Sequence, residues 1–114
     1  MVATISGGLV PLRGDLWLCA VPVAGVHPGV VLTVNRIAEP LSSVTVALVT
    51  GTPGPDVTHV RIGPAAGATK CDESFVDCTD LHSIAKPSLR RRLGRLAPVE
   101  MRSVESAVRV ILGL

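Results

Sequence analysis

Aromatic residues are almost absent from this chain of 114 residues, which has one tryptophan, one phenylalanine and no tyrosine. Proteins that bind nucleic acid by stacking bases on aromatic rings need several such side chains. Trp17 and Phe75 are too few for that mode of binding, so the core must consist mainly of valine, leucine, isoleucine and alanine. Hydrophobic residues make up 47% of the chain and charged residues 18%, a balance that indicates a globular protein rather than a disordered one.

Cysteine is also scarce. Cys19, Cys71 and Cys78 are an odd number and lack the density of a disulfide scaffold, which indicates a reducing, cytoplasmic compartment. The sequence contains no CxxC or HxxxH pair, and the spacing of Cys71 and Cys78 is not that of zinc ligands, so we expect no metal site. We expect the thiols to serve as small buried hydrophobic groups.

Several familiar sequence signatures are missing as well. No apolar run approaches the length of about 18 residues that a membrane-spanning helix needs, and residues 1–12 lack the pattern of a signal peptide. The glycine-rich and serine motifs of phosphate-binding loops, dinucleotide sites and serine hydrolases do not occur. The length predicts a single domain, residues 1–114, with residues 1–12 as a loosely ordered lead-in.

The formal charge of +2 is modest, but four arginines are crowded together near the C-terminus: Arg90, Arg91, Arg92 and Arg95. A basic face of this kind attracts polyanions. On charge alone, a solvated surface with no binding role is the better interpretation.

The hydrophobic pattern predicts a mainly β protein. Two segments rich in β-branched residues, Gly29–Asn35 and Ser43–Thr50, are typical of strands, and residues 22–28 and 36–42 are predicted as connections. Arg13-Gly14-Asp15 is predicted to be a turn or bulge, and Lys86–Leu89 one short helical turn. Further strands are predicted at 16–21, at 58–62, at 73–84 with a polar break at 77–80, and at 91–96.

A single helix is predicted at the C-terminus. Pro98 suits the first helical position, and Glu100 favours the positive end of the helix dipole. Five residues recur at helical spacing and predict one apolar stripe: Met101, Val104, Val108, Ile111 and Leu112. Five to seven strands and one terminal helix predict a small barrel-like domain.

Two polar residues mark the ends of the central strands. His27 precedes Pro28 at the start of one strand, and Thr50 ends the next. If these strands lie side by side, both side chains converge on one edge of the sheet, which is our hypothesis for the functional site.

The order of several segments resembles the MazF/PemK toxin family. Arg13–Leu18 is followed by His27–Arg36 and then by Val44–Thr50, and the resemblance extends over residues 13–114 through Ile84-Ala85-Lys86, Arg91–Met101 and the terminal Leu112-Gly113-Leu114. It implies an SH3-like barrel with a C-terminal helix, usually a cytoplasmic homodimer that is inhibited by a cognate antitoxin. It also implies sequence-selective cleavage of single-stranded RNA without a metal or another cofactor.

The resemblance also implies which residues carry the chemistry. A typical family member has an arginine before the proline that opens the second strand and a threonine or serine at the end of the third. Thr50 matches the second position, whereas His27 stands at the first. An imidazole can act as base, acid or phosphate-binding cation, but it lacks the permanent bidentate fork of arginine. The alternative for His27 is a structural imidazole that is hydrogen-bonded to backbone.

Four further residues are candidates for contacts with RNA: Thr52, Arg36, Asp80 and His82. Thr52 and Thr50 have a structural alternative, in which their hydroxyls close a turn at the strand end. Asp80 and His82 also suit a dimer interface, and Asp80 also suits a solvated turn. Arg36 also suits a role in holding the strand connection. The arginines at 90–92 suit either RNA or an acidic antitoxin tail. Because the family arginine is missing, the alternative function is a weakened or inactive barrel that binds antitoxin or nucleic acid.

Overall fold

The computed structural model describes residues 10–68 and 73–114. Along these residues the chain forms six strands, one short helix and a C-terminal helix: β1 (Asp15–Val21), β2 (Gly25–Val31), α1 (Asn35–Ala38), β3 (Ser43–Thr50), β4 (His59–Ile62), β5 (Ser74–Ala85), β6 (Leu89–Arg95) and α2 (Pro98–Leu112). The strands form one antiparallel sheet in the order β4-β5-β3-β2-β1-β6. The predicted mainly β fold with a C-terminal helix is confirmed.

Both faces of the sheet are buried. Because successive side chains of a strand point to opposite faces, the sheet has a separate hydrophobic cluster on each face. One cluster packs with α2 and contains Leu16, Val30, Ala47, Val76, Leu96 and Val104. The other, which we call the tryptophan cluster, contains Trp17, Cys19, Val21, Val31, Ala38, Val44, Val46, Leu48, Ile84 and Leu89.

Two glycines bring the turn that follows β4 against the backbone of β6. A Cβ atom at Gly67 would lie 2.3 Å from the carbonyl oxygen of Leu93, and one at Gly94 would lie 2.1 Å from that of Ala66. Neither position has room for a side chain, and Gly67 also has a positive φ of 96°. This glycine contact connects the two ends of the sheet order and gives the sheet its barrel-like form.

The second strand differs from the prediction. It begins at Gly25 and ends at Val31, instead of covering 29–35. The chain turns back immediately after β1 and pairs Val21 with Gly25, so most of the predicted connection at 22–28 belongs to a hairpin. At its other end the strand gives way to α1, where the Asn35 side chain accepts a hydrogen bond from the Arg13 amide at 2.8 Å.

The polar break in β5 is a bulge within one continuous strand. Pairing with β3 steps from Ala47–Leu81 to Val49–Val76, so four residues of β5 lie opposite the single residue Leu48. Asp77 stabilises the bulge, because its Oδ1 accepts hydrogen bonds from both the amide and the hydroxyl of Thr79 at 3.0 and 2.6 Å. The predicted strand that continues past a polar break is confirmed.

The Arg-Gly-Asp segment is a turn that anchors the first strand, as predicted. Gly14 has a φ of 89°, a conformation that suits glycine. Asp15 is buried, and its carboxylate accepts hydrogen bonds from the Leu12 amide at 3.0 Å and from Arg95 Nη1 at 2.8 Å. Arg92 Nε lies 3.4 Å from the same carboxylate. The arginine-rich strand β6 is thus tied to β1 by a buried carboxylate.

Helix α2 begins at Pro98, as predicted. The Glu100 carboxylate accepts hydrogen bonds from the amides of Ala97 and Gly63 at 2.7 and 2.6 Å, which caps the helix and joins it to the end of β4. Four of the five residues of the predicted apolar stripe pack on the core, whereas Leu112 is exposed. The turn predicted near Lys86 is a 3-10 turn, Lys86–Ser88.

The tip of the β1–β2 hairpin is strained. Val23 has a φ of 70° and is the only residue other than glycine with a positive φ in the described chain, residues 10–68 and 73–114. A β-branched side chain is costly in this conformation, by about 1–2 kcal/mol. Its side chain is fully exposed, so no burial within the described chain offsets the strain.

We expect Val23→Asn to raise the free energy of unfolding by up to about 1 kcal/mol, since asparagine tolerates a positive φ. Urea unfolding followed by circular dichroism measures the change. Val26→Asn is the matched control, because Val26 is also an exposed hairpin valine but pairs with Ala20 in extended backbone. Equal or lower stability of Val23→Asn relative to the unmodified protein would contradict the assignment of strain.

Candidate functional site

His27 and Thr50 lie where β2 and β3 separate. The pairing of the two strands ends at Gly29 and Leu48. If that register continued along both strands, His27 would stand directly opposite Thr50. Thr50 is the last residue of β3, as predicted, whereas His27, which was predicted to precede its strand, lies within β2 where β2 and β3 no longer pair.

A pocket of about 250 Å³ opens at this end of the sheet. Four of the six candidate residues line it: His27 from β2, Thr50 from β3, and Asp80 and His82 from β5. On each strand these residues are an even number of positions from members of the tryptophan cluster, such as Val31, Leu48 and Ile84, and so lie on the same face of the sheet. The shared face explains why side chains from three strands converge.

His27 has one ring nitrogen bound to backbone and one without a partner. Its Nε2 lies 2.8 Å from the carbonyl oxygen of Ala24, and since a carbonyl only accepts, Nε2 carries the proton. Among the described residues Nδ1 has no hydrogen-bond partner, so in the neutral ring it presents a lone pair. The backbone bond expected of a structural imidazole exists, and it also fixes the tautomer that a base requires.

Thr50 forms the turn that its structural alternative describes. Its Oγ1 accepts a hydrogen bond from the Thr52 amide at 3.1 Å. The hydroxyl proton of Thr50 is not used in that bond, so it remains a donor for a group in the pocket. Thr52 is exposed and does not line the pocket, and it contributes to the site through its backbone.

Asp80 and His82 form a hydrogen-bonded pair within the pocket. Asp80 Oδ1 lies 2.7 Å from His82 Nε2, and the two side chains are 47% and 33% exposed. Residues two apart on a strand share a face, which places both groups toward the same space. The carboxylate orients the imidazole and leaves its Nδ1 as the remaining nitrogen.

The site includes two charged residues beyond the six candidates: Asp77, and Arg91, which the sequence gives only as one of the three arginines at 90–92. Asp77 lines the same pocket, because the bulge of β5 turns it inward, whereas its sequence alone indicates a solvated turn carboxylate. Arg91 lines a second cavity of about 460 Å³ that also includes His27 and Thr50. The signal for Arg91 is the register of β6, which pairs it with Leu18 on the strand next to β2.

Arg36 lies away from this site. It belongs to α1, beyond the end of β2 opposite to His27, and it is exposed and lines neither pocket. The segment 32–35 carries the chain away from the pocket before the helix begins, so a contact between Arg36 and RNA stays a prediction that is separate from this pocket.

The described thiols are structural. Burial raises the pKa of Cys19 to about 11, and burial together with the neighbouring Asp77 carboxylate raises that of Cys78 to about 11. Both thiols are protonated at neutral pH and are poor nucleophiles. Cys71 lies outside the described residues.

The described part of the chain contains neither a metal-binding cluster nor a membrane-spanning helix. Within residues 10–68 and 73–114, no group of three or more His, Cys, Asp or Glu side chains is arranged to hold a metal ion. Neither α-helix in that part of the chain has the length and apolar character that crossing a membrane requires.

Known proteins resemble this chain in sequence and in fold. A family model described as "PemK-like, MazF-like toxin of type II toxin-antitoxin system" matches residues 12–112. Two Mycobacterium tuberculosis proteins, "Probable endoribonuclease MazF5" and "Probable endoribonuclease MazF2", are 31% and 28% identical to it over 101 residues. These matches cover 89% of this chain and 92% and 97% of the relatives.

The structural neighbours extend this comparison. A mycobacterial endoribonuclease solved in complex with its cognate antitoxin is 25% identical and superposes with a TM-score of 0.79, over 91% of this chain and 96% of the other. A MazF from Deinococcus radiodurans, solved with MazE, has a TM-score of 0.76 at 20% identity, over 93% and 98%. The second match shows the shared fold alone.

Proposed function

Since the chain belongs to the family of PemK-like, MazF-like toxins of type II toxin–antitoxin systems, we propose that it is an endoribonuclease that cleaves single-stranded RNA. The observation that carries the proposal is the pocket that His27, Thr50 and His82 share. These side chains supply the proton-transfer and hydrogen-bonding groups that RNA cleavage through the 2′-hydroxyl requires. The two mycobacterial relatives that carry the name endoribonuclease support the same activity.

The proposed reaction begins at the 2′-hydroxyl of the RNA. His27 Nδ1 takes the proton from this hydroxyl, and the 2′-oxygen attacks the adjacent phosphorus. The bond to the 5′-oxygen of the next nucleotide then breaks, which leaves a 2′,3′-cyclic phosphate and a 5′-hydroxyl. Base catalysis by a positioned side chain contributes about 10²- to 10⁴-fold to such a rate.

The charge that develops on the phosphoryl oxygens needs donors that are already in place. The free hydroxyl proton of Thr50 is one donor, since its oxygen is held by the Thr52 amide. Arg91 supplies the permanent cation, because it lines the larger cavity beside His27 and Thr50. A guanidinium from β6 thus offers at this site the fixed charge that the histidine at position 27 lacks.

Single-stranded RNA is the expected substrate class because its backbone must enter between strand ends. In-line attack also needs a nucleotide whose 2′-oxygen, phosphorus and 5′-oxygen are free to align, which a duplex resists. The arginines of β6 provide a basic approach to the phosphates. We also propose that the protein cleaves only at particular RNA sequences.

The test is cleavage of a long single-stranded RNA by the purified protein in excess EDTA. We expect cuts at a restricted set of sites, with 2′,3′-cyclic phosphate and 5′-hydroxyl ends, because no step uses a metal ion. Thr50→Val is expected to be at least about tenfold slower through loss of one charged hydrogen bond. Activity that EDTA abolishes, or products with 5′-phosphates, would contradict the mechanism.

A second candidate function is binding without cleavage, and the histidine at position 27 is the observation that favours it. Expression in a bacterial host separates the two functions. Cleavage predicts growth arrest by the unmodified protein and relief by Thr50→Ala. A folded protein that arrests growth in neither form would favour binding alone.

We also propose a cognate antitoxin and a second copy of this chain as partners, in the cytoplasm. The antitoxin is supported by the relatives solved with one. On this chain, an exposed groove of about 460 Å³ runs along α2 and offers apolar contact through Val57, Val99 and Val110 beside Arg102. Such a groove suits an amphipathic segment with acidic residues. Co-purification with the product of a neighbouring gene tests the antitoxin, and light scattering tests the dimer.

A further inference from the structure

We propose that His82, positioned by Asp80, is the general acid that protonates the 5′-oxygen when the RNA bond breaks. The inference rests on the proposed function and completes it, because a base alone leaves the departing alkoxide without a proton. The site would then contain two histidines in opposite protonation states, one on β2 and one on β5.

The hydrogen bonds of the two rings assign the roles. His27 Nε2 donates to a backbone carbonyl at 2.8 Å, which fixes the tautomer in which Nδ1 carries the lone pair of the neutral ring. His82 Nε2 donates to the Asp80 carboxylate at 2.7 Å, and when the ring carries both protons Nδ1–H is its remaining donor. The neutral ring is the base and the charged ring is the acid.

The surroundings of His82 agree with this role. The other charged groups lining the pocket are Asp77 and Asp80 on its own strand and His27 on β2, while β3 contributes Thr50 and the apolar residues Leu48 and Val49. Of the two carboxylates, Asp80 is the one bonded to His82, whereas Asp77 is bonded to Thr79 and lies 3.9 Å from His59 Nε2. At 33% exposure, the side chain is open enough to exchange protons with water between turnovers.

The proton balance of the step is complete. The bond from the 2′-oxygen to phosphorus forms as His27 Nδ1 takes the 2′-proton, and the bond from phosphorus to the 5′-oxygen breaks as His82 Nδ1–H delivers a proton to that oxygen. His27 ends protonated and His82 neutral. Exchange with solvent restores both rings, so the cycle needs no other reactant.

This assignment predicts two limbs in the pH profile of cleavage. The rate rises with pH while His27 loses its proton, because the base must be neutral. It falls again as His82 loses its proton, because the acid must be charged. His82→Gln, which retains a polar side chain of similar size but does not titrate, is expected to lack the fall at high pH.

A chemical substitution in the RNA isolates the acid. Once mapped cleavage ends identify a site, a short oligonucleotide is made with sulfur in place of the 5′-oxygen at the scissile bond, since a thiolate leaves without a proton. We expect His82→Gln to be about 10²- to 10⁴-fold slower than the unmodified protein on the oxygen substrate. On the sulfur substrate we expect the two proteins to agree within about tenfold.

The controls separate acid catalysis from binding and from folding. Asp80→Ala should show the same recovery on sulfur, and the double variant should be no slower than His82→Gln, because Asp80 acts through His82. Arg61→Gln changes an exposed side chain on β4 that lines neither pocket and should match the unmodified protein on both substrates. Circular dichroism confirms that each variant is folded.

The outcomes are distinct. Equal slowing of His82→Gln on both substrates would mean that His82 only binds the phosphate, and full activity on the oxygen substrate would mean that it has no role. Either result overturns the inference and leaves the proposed function intact. An unmodified protein that cuts neither substrate overturns both.

Discussion

Replacement of His27 by alanine is expected to slow RNA cleavage by about 10²- to 10⁴-fold, the usual contribution of a positioned base. The alanine removes the Nδ1 that we propose as the base for the 2′-hydroxyl, while β2 keeps its pairing with β1 through the backbone. Initial rates on a fixed RNA site, measured across pH, give the size of the loss. The rise in rate at low pH should disappear with the side chain.

His27→Arg distinguishes the two roles that an imidazole can have at this position. Arginine supplies a permanent cation but no base at neutral pH. If His27 removes a proton, the arginine variant stays as slow as the alanine variant. If His27 only stabilises phosphate charge, arginine restores cleavage. Unchanged activity in His27→Ala would remove His27 from the mechanism altogether.

Trp17→Ala is expected to lower the free energy of unfolding by about 3–5 kcal/mol, the cost of emptying a large buried site. Trp17 is fully buried and is the largest member of the tryptophan cluster. A loss of this size approaches the whole stability of many domains, so a fall in melting temperature of more than about 10 °C is expected. Circular dichroism is the suitable probe, because the change removes the only tryptophan.

Trp17→Phe is the matched control for this loss. Within the described residues, the indole Nε1 is buried without a hydrogen-bond partner, and an unsatisfied buried donor costs about 1–3 kcal/mol. Phenylalanine keeps one ring of the indole and removes that donor, so the two effects offset each other. We expect Trp17→Phe to lower the free energy of unfolding by less than about 2 kcal/mol. If Trp17→Phe lowers the free energy of unfolding as much as Trp17→Ala does, the expectation that the two effects offset each other is contradicted.

The sequence predicts those elements whose pattern is local. Ser43–Thr50 and the helix that begins at Pro98 have the predicted bounds, because β-branched alternation in one and a start signal with a 3.6-residue stripe in the other are complete within the element. The predicted start of β2 at Gly29 was wrong because Gly25–Pro28 has weak strand propensity. Those residues are extended only because the tight turn returns them to β1, and that is a tertiary effect.

The grouping of the site residues is also difficult to predict from local sequence patterns. His27, Thr50, Asp80 and His82 each stand out in the sequence as polar residues at strand ends or breaks. These residues lie close together because of the bulge of β5 and the strand order, and no local sequence pattern predicts either feature. Arg91 is a sharper case, since only the register of β6 distinguishes it from the adjacent arginines. Arg36 is the opposite case, since it is close to β2 in sequence but lines neither pocket.

The glycine contact between Pro64–Ala66 and β6 has a consequence for how a second protein attaches. A strand that extends a sheet needs a free row of amide and carbonyl groups along the edge. At Leu93 and Gly94 that row lies against the backbone of the turn, too close for even a Cβ atom. A peptide cannot lengthen the sheet along this part of β6, so here an inhibitor must compete for side-chain surfaces, and its sequence can be recognised by shape and charge.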